Sequence, residues 1–439
     1  MAAGWTPILV GSARDKAVDA IADIARALAD VLTPERRRAL ARETGLDPTR
    51  RHRQDREDPS LSRGSSGIAI FFGYLELAGL DPSHGSSGRD IAQETQRIAA
   101  STLAHPGLFS GFTGMSWSLR HLHVNVPQTY VPCDTDEIDT VLLDLLREPR
   151  MRFGFDLISG LTGIGLYALD HPDEKVRREL LTLVVHRLKA SSVDDAVGTT
   201  WIRPSESISP KWKAARPEGY FDDGCVDLGV AHGLPGIVGL LALIAKADVE
   251  VEIASELVGR GTRWLLAHRL PAPSTAAFGD YFIPGRPTPP AQHAWCYGDP
   301  GVAAILIQSG RVLNEPQWVK QGLEISRHAA ARTPHDLPMV DTGLCHGMAG
   351  LAHVFNRMYQ YTGDPVFSLA SRYWYARTLG AIRPGRGVAG WLGTNTRVRG
   401  RDAWKYPEGF LYGAAGVGLA LLGAVSEVEP RWDRVLLLS

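Results

Sequence analysis

Gly160-Leu161-Thr162-Gly163-Ile164-Gly165-Leu166-Tyr167-Ala168-Leu169 joins a Gly-x-x-Gly step to an almost unbroken apolar run. A helix that is apolar on every side has to be buried on every side. The segment therefore predicts an inner helix entered through a glycine turn. The same step recurs with first glycines at Gly64, Gly111, Gly233, Gly298, Gly347 and Gly413, giving seven copies at spacings of 47, 49, 73, 65, 49 and 66 residues. Three spacings fall near 48, so the longer ones read as the same unit carrying loop insertions of roughly 17 to 25 residues. The apolar run returns after the step at residues 237–245 and 302–307.

Between the copies the pattern changes. In residues 16–32, Val18, Ile21, Ala25, Leu28 and Leu32 recur at helical spacing, with Asp19, Asp23, Arg26 and Asp30 opposite. Val176, Leu180, Leu181, Val184 and Leu188 repeat the pattern, the mark of an amphipathic helix with one wet face. Each unit thus supplies one buried and one half-exposed helix, and glycine suits the turn between units by tolerating positive φ and close backbone approach. Such pairs stack into an open α-solenoid or close into a double ring. Fully apolar inner helices favour closure: an all-α fold, an α/α toroid of seven helical-hairpin repeats with irregular loops at its rim. Residues 1–60 are expected as an N-terminal helical extension and 61–439 as the toroid, with an irregular insertion at 191–226 and further loops at 269–292 and 383–408.

The charges nearly cancel, 47 Lys+Arg against 48 Asp+Glu, which argues against a nucleic-acid binder. Four scattered cysteines do not make a disulfide framework, so a reducing, cytoplasmic setting is expected. The N-terminus shows no basic-then-apolar signal pattern. The longest uncharged stretch, 228–245, contains His232, Pro235 and four glycines, and reads as a loop followed by a buried helix rather than a membrane span.

Counting from the first glycine of each step converts sequence into geometry. Cys296 and Cys345 stand two residues before their glycines, and His232 and His346 one residue before theirs. In a closed ring, equivalent positions of different repeats face one axis. Thiolate and imidazole are preferred zinc ligands, and three protein ligands leave a fourth position for substrate. Cys296, Cys345 and His346 are therefore the candidate metal ligands, with core packing as the alternative for each. Asp156, four residues before Gly160 in the apolar context Phe155-Asp156-Leu157-Ile158, calls for a partner or a turn role. Trp295 and Tyr297 flank Cys296 and either shape a pocket or fill the core. Cys133, Cys225, His105, His171, His186, His268 and His353 fall outside the pattern and receive no role. A glycosidase would need two carboxylates across its cavity, and the register offers Cys and His instead.

Ala294-Trp295-Cys296-Tyr297-Gly298, Leu344-Cys345-His346-Gly347 and Ala231-His232-Gly233-Leu234-Pro235-Gly236 resemble the signatures of lanthipeptide synthetase C-type proteins, the stand-alone lanthionine cyclases. The resemblance runs from about residue 62 onward and implies a seven-fold α/α barrel. It further implies a zinc enzyme that adds a peptide cysteine thiol to a dehydroalanine or dehydrobutyrine of the same peptide, closing a thioether ring. Zinc ligation then falls to Cys296, Cys345 and His346, and acid–base work to His232 with Asp156 as its polar partner. The implied partners are a dehydrated precursor peptide with its leader, a dehydratase and an ABC-type exporter, which would hold the chain at the periphery of the membrane. One position departs from the pattern. Many family members carry Arg four residues before the motif cysteine, where this chain has Gln292, followed by His293. Either residue is a candidate to substitute at the substrate. Two other functions stay open: addition of glutathione to a dehydroamino acid, and a non-catalytic scaffold that binds a leader peptide or a dehydratase.

Overall fold

The computed structural model describes residues 4–31, 58–80, 85–99, 105–131, 135–332, 341–398, 401–405 and 407–439. Cys133 and much of the N-terminal stretch 1–60 lie outside them. In chain order the helices among these residues are α1 (Gly11–Val31), α2 (Ser65–Leu77), α3 (Gly85–Ala99), α4 (Phe112–Asn125) and α5 (Asp136–Arg147). They continue with α6 (Leu161–Leu169), α7 (Glu174–Ser191), α8 (Pro210–Ala214), α9 (Leu234–Lys246) and α10 (Val251–Ala267). The last five are α11 (Asp299–Val312), α12 (Pro316–Ala330), α13 (Met348–Thr362), α14 (Pro365–Gly380) and α15 (Ala414–Val425).

Every glycine step opens a helix, and those helices are the buried ones. All of α15, and α9 from Leu234 to Ala245, are buried. At about 1.5–3 kcal/mol for each large apolar side chain taken fully out of water, such helices carry much of the core. The helices between them are amphipathic. α7 buries Leu180, Leu181, Val184, Val185 and Leu188 and starts on Asp173, whose carboxylate accepts the N–H groups of Lys175 and Val176.

Of the two reasons expected for glycine, positive φ and close backbone approach, the second is the one that operates at most steps. At Gly64, Gly111, Gly160, Gly233, Gly347 and Gly413 the backbone is extended with negative φ, and only Gly298 is positive, at 117°. Close approach is the constraint. At five of the steps the preceding loop folds back so that its carbonyls receive the N–H groups of the first helical turn, as in Leu161 N–H to Gly154 O (2.8 Å), Met348 to Asp341 (3.0 Å) and Ala414 to Pro407 (2.8 Å). Backbone thus satisfies donors that a side-chain cap would otherwise serve. A Cβ on the second glycine would collide with the carbonyl six residues back: Leu157 for Gly163, Leu344 for Gly350, Phe410 for Gly416. Gly416→Ala should therefore cost about 1–3 kcal/mol or more through a forced backbone shift. Gly259→Ala, with open space in the middle of α10, should gain about 0.5–1 kcal/mol. Urea midpoints of the two variants give the comparison.

Two compact units divide the chain. The first comprises residues 1–105, 109–135 and 330–433. In it α13, α15, α2 and α4 pack in succession, with α14 backing α13 and α3 backing α2. Their turns are stitched by backbone: Cys345 N–H to Leu411 O, Leu411 N–H to Ser62 O, and Ser62 N–H to Phe109 O, each at 2.9 Å. α1 lies on α14 and α15, and the Trp5 indole donates to Gly423 O at 2.8 Å. The second unit comprises 106–108, 136–329 and 434–439. In it α6, α9 and α11 pack in succession, with α7 and α10 behind the first two. Here the stitch runs from Leu157 N–H to Ala231 O (3.0 Å) and from Ala231 N–H to Cys296 O (3.4 Å).

The inserted loops contain short antiparallel pairs. β1 (Val193–Asp194) pairs with β2 (Thr199–Thr200). β3 (Ile202–Arg203), β4 (Cys225–Asp227) and β5 (Tyr281–Phe282) form a three-stranded sheet with Arg203 opposite Cys225 and Asp227 opposite Tyr281. β6 (Thr394–Val398) and β7 (Arg401–Lys405) form a hairpin. No helix among the described residues is long and apolar enough to cross a membrane.

Candidate functional site

In the second unit the turns before α9 and α11 carry His232 and Cys296. His232 leaves its turn one residue before Gly233 with its side chain one third exposed, and its Nδ1 lies 3.6 Å from Asp156 Oδ1. Asp156 fills both roles open to it. Its carboxylate accepts the N–H groups of Ile158 and Ser159 at 2.9 Å, a turn function, and also faces the imidazole. Burial works against both charges. The His232 ring and the two turn N–H groups nevertheless hold the Asp156 carboxyl below its usual range. Asp156 and Asp227 in turn hold the His232 cation above the ordinary histidine range.

Cys296 is buried, and the exposed Gln292 side chain donates from Nε2 to its sulfur at 3.6 Å. Tyr297 is half-buried, its ring centroid 6.1 Å from that of His232. Its hydroxyl donates to Asp227 Oδ2 at 2.9 Å, and burial together with Asp227 keeps the phenol protonated far above neutral pH. His293 and Trp295 are each 1 % exposed. They stand in the core under the motif, and the Trp295 indole donates to Leu436 O at 2.9 Å. Of the four residues considered for substrate contact, Gln292 and Tyr297 are the ones with accessible surface. Asp280, beside these groups, has its carboxyl pushed up to about 6 by burial and by the neighbouring Asp227 and Cys296. Cys225, buried in β4, has its thiol pushed up to about 12, chiefly by burial, and stays protonated.

In the first unit Cys345 is 6 % exposed. His346, the next residue, turns its Nε2 to Asp341 Oδ2 at 3.0 Å and Thr394 Oγ1 at 3.1 Å. Asp341 Oδ1 accepts the Asn395 N–H at 2.9 Å, so the carboxylate is itself fixed. A carboxylate on an imidazole nitrogen is the arrangement that orients a metal-ligating histidine. Adjacent residues of a helix would diverge by about 100°, but the turn before α13 brings one donor atom each of Cys345 and His346 within 4.8 Å. Cys345 and His346 thus offer a thiol and an imidazole side by side in the first unit, and Cys296 offers a thiol from the turn before α11 in the second.

Sequence reasoning missed Asp341, Asp227, Asp280, Thr394 and Arg203. Two carried a readable signal, since Asp227 and Asp341 each stand six residues before the first glycine of a step. The others reach their places through strand pairing and loop packing that no spacing announces.

The model of the lanthionine synthetase C-like protein family matches residues 55–437. The nisin biosynthesis protein NisC of Lactococcus lactis subsp. lactis is 23% identical over 315 residues, covering 67% of this chain and 72% of that protein. The glutathione S-transferase LANCL1 of Danio rerio is 30% identical over 141 residues, 31% of this chain and 32% of that one. The solved structure of nisin cyclase superposes with a TM-score of 0.70 at 18% identity, covering 92% of this chain and 98% of that chain. That likeness gives the fold, an α/α toroid. With the family match spanning nearly all of its length, the chain belongs to the lanthionine synthetase C-like proteins.

Proposed function

We propose that the protein is a lanthionine cyclase that adds cysteine thiols of a dehydrated ribosomal precursor peptide to dehydroalanine or dehydrobutyrine residues of the same peptide. The donor set supports the reading: two thiols and one imidazole are soft ligands that suit zinc, and three of them make the catalytic pattern with a position left for substrate. Cys296, Cys345 and His346 are the proposed ligands, with Asp341 orienting His346. A free thiol with a pKa near about 8.5 is mostly protonated at neutral pH, and zinc, when bound, deprotonates a coordinating thiol outright.

The rest falls to side chains. Addition of sulfur to the β-carbon moves an electron pair onto the α-carbon and its carbonyl, and a proton has to arrive at the α-carbon. His232 is the proposed donor. Its Nδ1 faces Asp156, which favours the charged ring and leaves Nε2 to meet the substrate. The thiol proton lost equals the α-proton gained, so cyclisation leaves the mass unchanged. Gln292, bonded to the Cys296 sulfur, is proposed to occupy the place of the arginine found in many family members. Its neighbour His293 is walled into the core. A leader-bearing precursor, a dehydratase and an ABC-type exporter are the proposed partners, in the cytoplasm.

A second reading has one observation in its favour, the 30% identity over 141 residues to a glutathione S-transferase: zinc-activated glutathione would add to the dehydro residue instead. Counting free thiols with an alkylating reagent decides between them. A synthetic peptide carrying one cysteine and one dehydroalanine should lose its thiol with enzyme alone. Loss of the dehydroalanine only when glutathione is supplied supports the second reading. Peptide thiol and dehydroalanine that both persist as in the enzyme-free control, with or without glutathione, exclude both and favour a binding scaffold.

A further inference from the structure

Asp227 of the second unit sits in a buried charge pair whose other member, Arg203, has no part in the reading so far. Arg203 stands on β3, in the stretch inserted between the third and fourth glycine steps, and Asp227 ends β4, the strand beside it. Arg203 Nη1 donates to Asp227 Oδ2 at 2.9 Å, and its Nη2 donates to Ser207 O at 2.8 Å. The Asp227 side chain is 0% exposed and that of Arg203 18%. A buried ion pair repays its desolvation poorly, and an apolar pair of similar volume often folds as well or better. What the pair touches is therefore informative.

Asp227 Oδ2 also accepts the Tyr297 hydroxyl at 2.9 Å, and Oδ1 accepts the Gly229 N–H at 3.0 Å. Through these bonds it grips the residue after Cys296 and the start of the turn that ends in His232. There is no slack around them. A Cβ at Gly229 would stand 2.6 Å from Cys296 O and 2.6 Å from Tyr297 Cδ1. Trp212, on α8 of the same inserted stretch, packs against Tyr297 with ring centroids 5.6 Å apart and planes at 64°. The Tyr297 hydroxyl, committed to Asp227, makes this ring a wall of the site and not an acid.

We propose that Arg203 and Asp227 are positioning residues: acting through the Tyr297 hydroxyl, they fix the Tyr297 ring against His232 and the backbone that carries Cys296. The inserted stretch 191–226 is then a working part of the reaction site. The inference rests on the cyclase reading. Removing Arg203 leaves Asp227 buried without its counter-charge and loosens the ring it holds, and misplacement by about 1 Å costs on the order of 10²-fold in rate.

The test uses zinc-loaded full-length protein and the synthetic peptide with one cysteine and one dehydroalanine. Arg203→Gln should lower kcat by about 10- to 100-fold with zinc content and KM unchanged, and Arg203→Lys should recover most of the loss. Tyr297→Phe should lower kcat similarly and add little on top of Arg203→Gln, because both changes cut the same connection. Wild-type kcat per bound zinc in Arg203→Gln, or losses that multiply in the double variant, would overturn the proposal. Should Arg203→Gln fail to fold, Tyr297→Phe decides: wild-type kcat there overturns it equally. A wild-type protein that leaves the peptide thiol untouched removes the cyclase reading itself, and this proposal with it.

Discussion

Replacing His232 by asparagine should leave the fold and the zinc content intact while slowing ring formation by about 10²–10⁴-fold, the range for a positioned acid–base group. Asparagine keeps a hydrogen-bonding side chain of similar reach but has no proton to give near neutral pH. The ring is one third exposed, so substrate can reach it, and its Nδ1 side is turned to Asp156. Asp156→Asn should cost less. It removes the charge that favours the imidazolium but keeps an oxygen for the Ile158 and Ser159 N–H groups. Thiol counts over time, alongside zinc per chain, separate the outcomes. Loss of zinc in His232→Asn would mean that His232 is a ligand and not the acid.

The largest effect on stability is expected at a buried cluster of the first unit. Asp433 is 0% exposed and accepts Arg357 Nε at 2.6 Å and Nη2 at 3.0 Å; the same carboxylate lies 2.8 Å from His353 Nε2. His353 stacks on Trp432 at 4.7 Å, and Trp5 lies 4.8 Å under the Arg357 guanidinium. Asp433→Ala leaves the buried Arg357 guanidinium with only the more exposed Glu429 as counter-charge and should cost about 3–5 kcal/mol, the penalty for removing one partner of a buried pair. A urea midpoint within experimental error of wild type would refute this.

The pH dependence of the cluster has a definite sign. Burial opposes the Asp433 charge, but Arg357 and His353 hold its carboxyl below the usual range. That stabilisation is present above the unfolded value of about 3.9 and lost as the pH falls through the folded one. Burial holds His353 below the ordinary histidine range despite Asp433. The folded ring is therefore neutral, and below about pH 6.5 the unfolded chain takes up the proton first. Both contributions weaken the fold on acidification. Because His232 and Asp280, both shifted upward, act with the opposite sign over the same interval, the check is the difference in urea midpoint between wild type and His353→Gln, which should fall from pH 7 to pH 4; a rise in that difference would contradict a neutral His353.

Much of this architecture was legible because a backbone constraint is written in residue types. A carbonyl that caps a helix leaves no room for a Cβ on the leading glycine six residues on, as Gly154 O does at Gly160 and Pro407 O at Gly413, and the carbonyl six residues before the second glycine crowds that one in turn, so glycine recurs at both. Of the two reasons expected for glycine, close approach holds, and positive φ applies among the leading glycines to Gly298 alone. The register also pointed to Cys296, Cys345, His346 and His232, since side chains one and two residues before a fixed turn leave it in fixed directions. It separated neighbours poorly. Gln292 and His293 look alike as polar residues before a motif, yet one is exposed and the other sits in the core. Arg203 was out of reach, because its place depends on the pairing of β3 with β4 across 21 residues of loop and short helix.

Metal content measures the central proposal most directly. Wild-type protein, purified without chelator and loaded with zinc, should hold one zinc per chain by elemental analysis. Cys296→Ala and Cys345→Ala should each lose that zinc and, with it, the consumption of peptide thiol. Full zinc content in both cysteine variants would contradict the ligand assignment and the chemistry built on it.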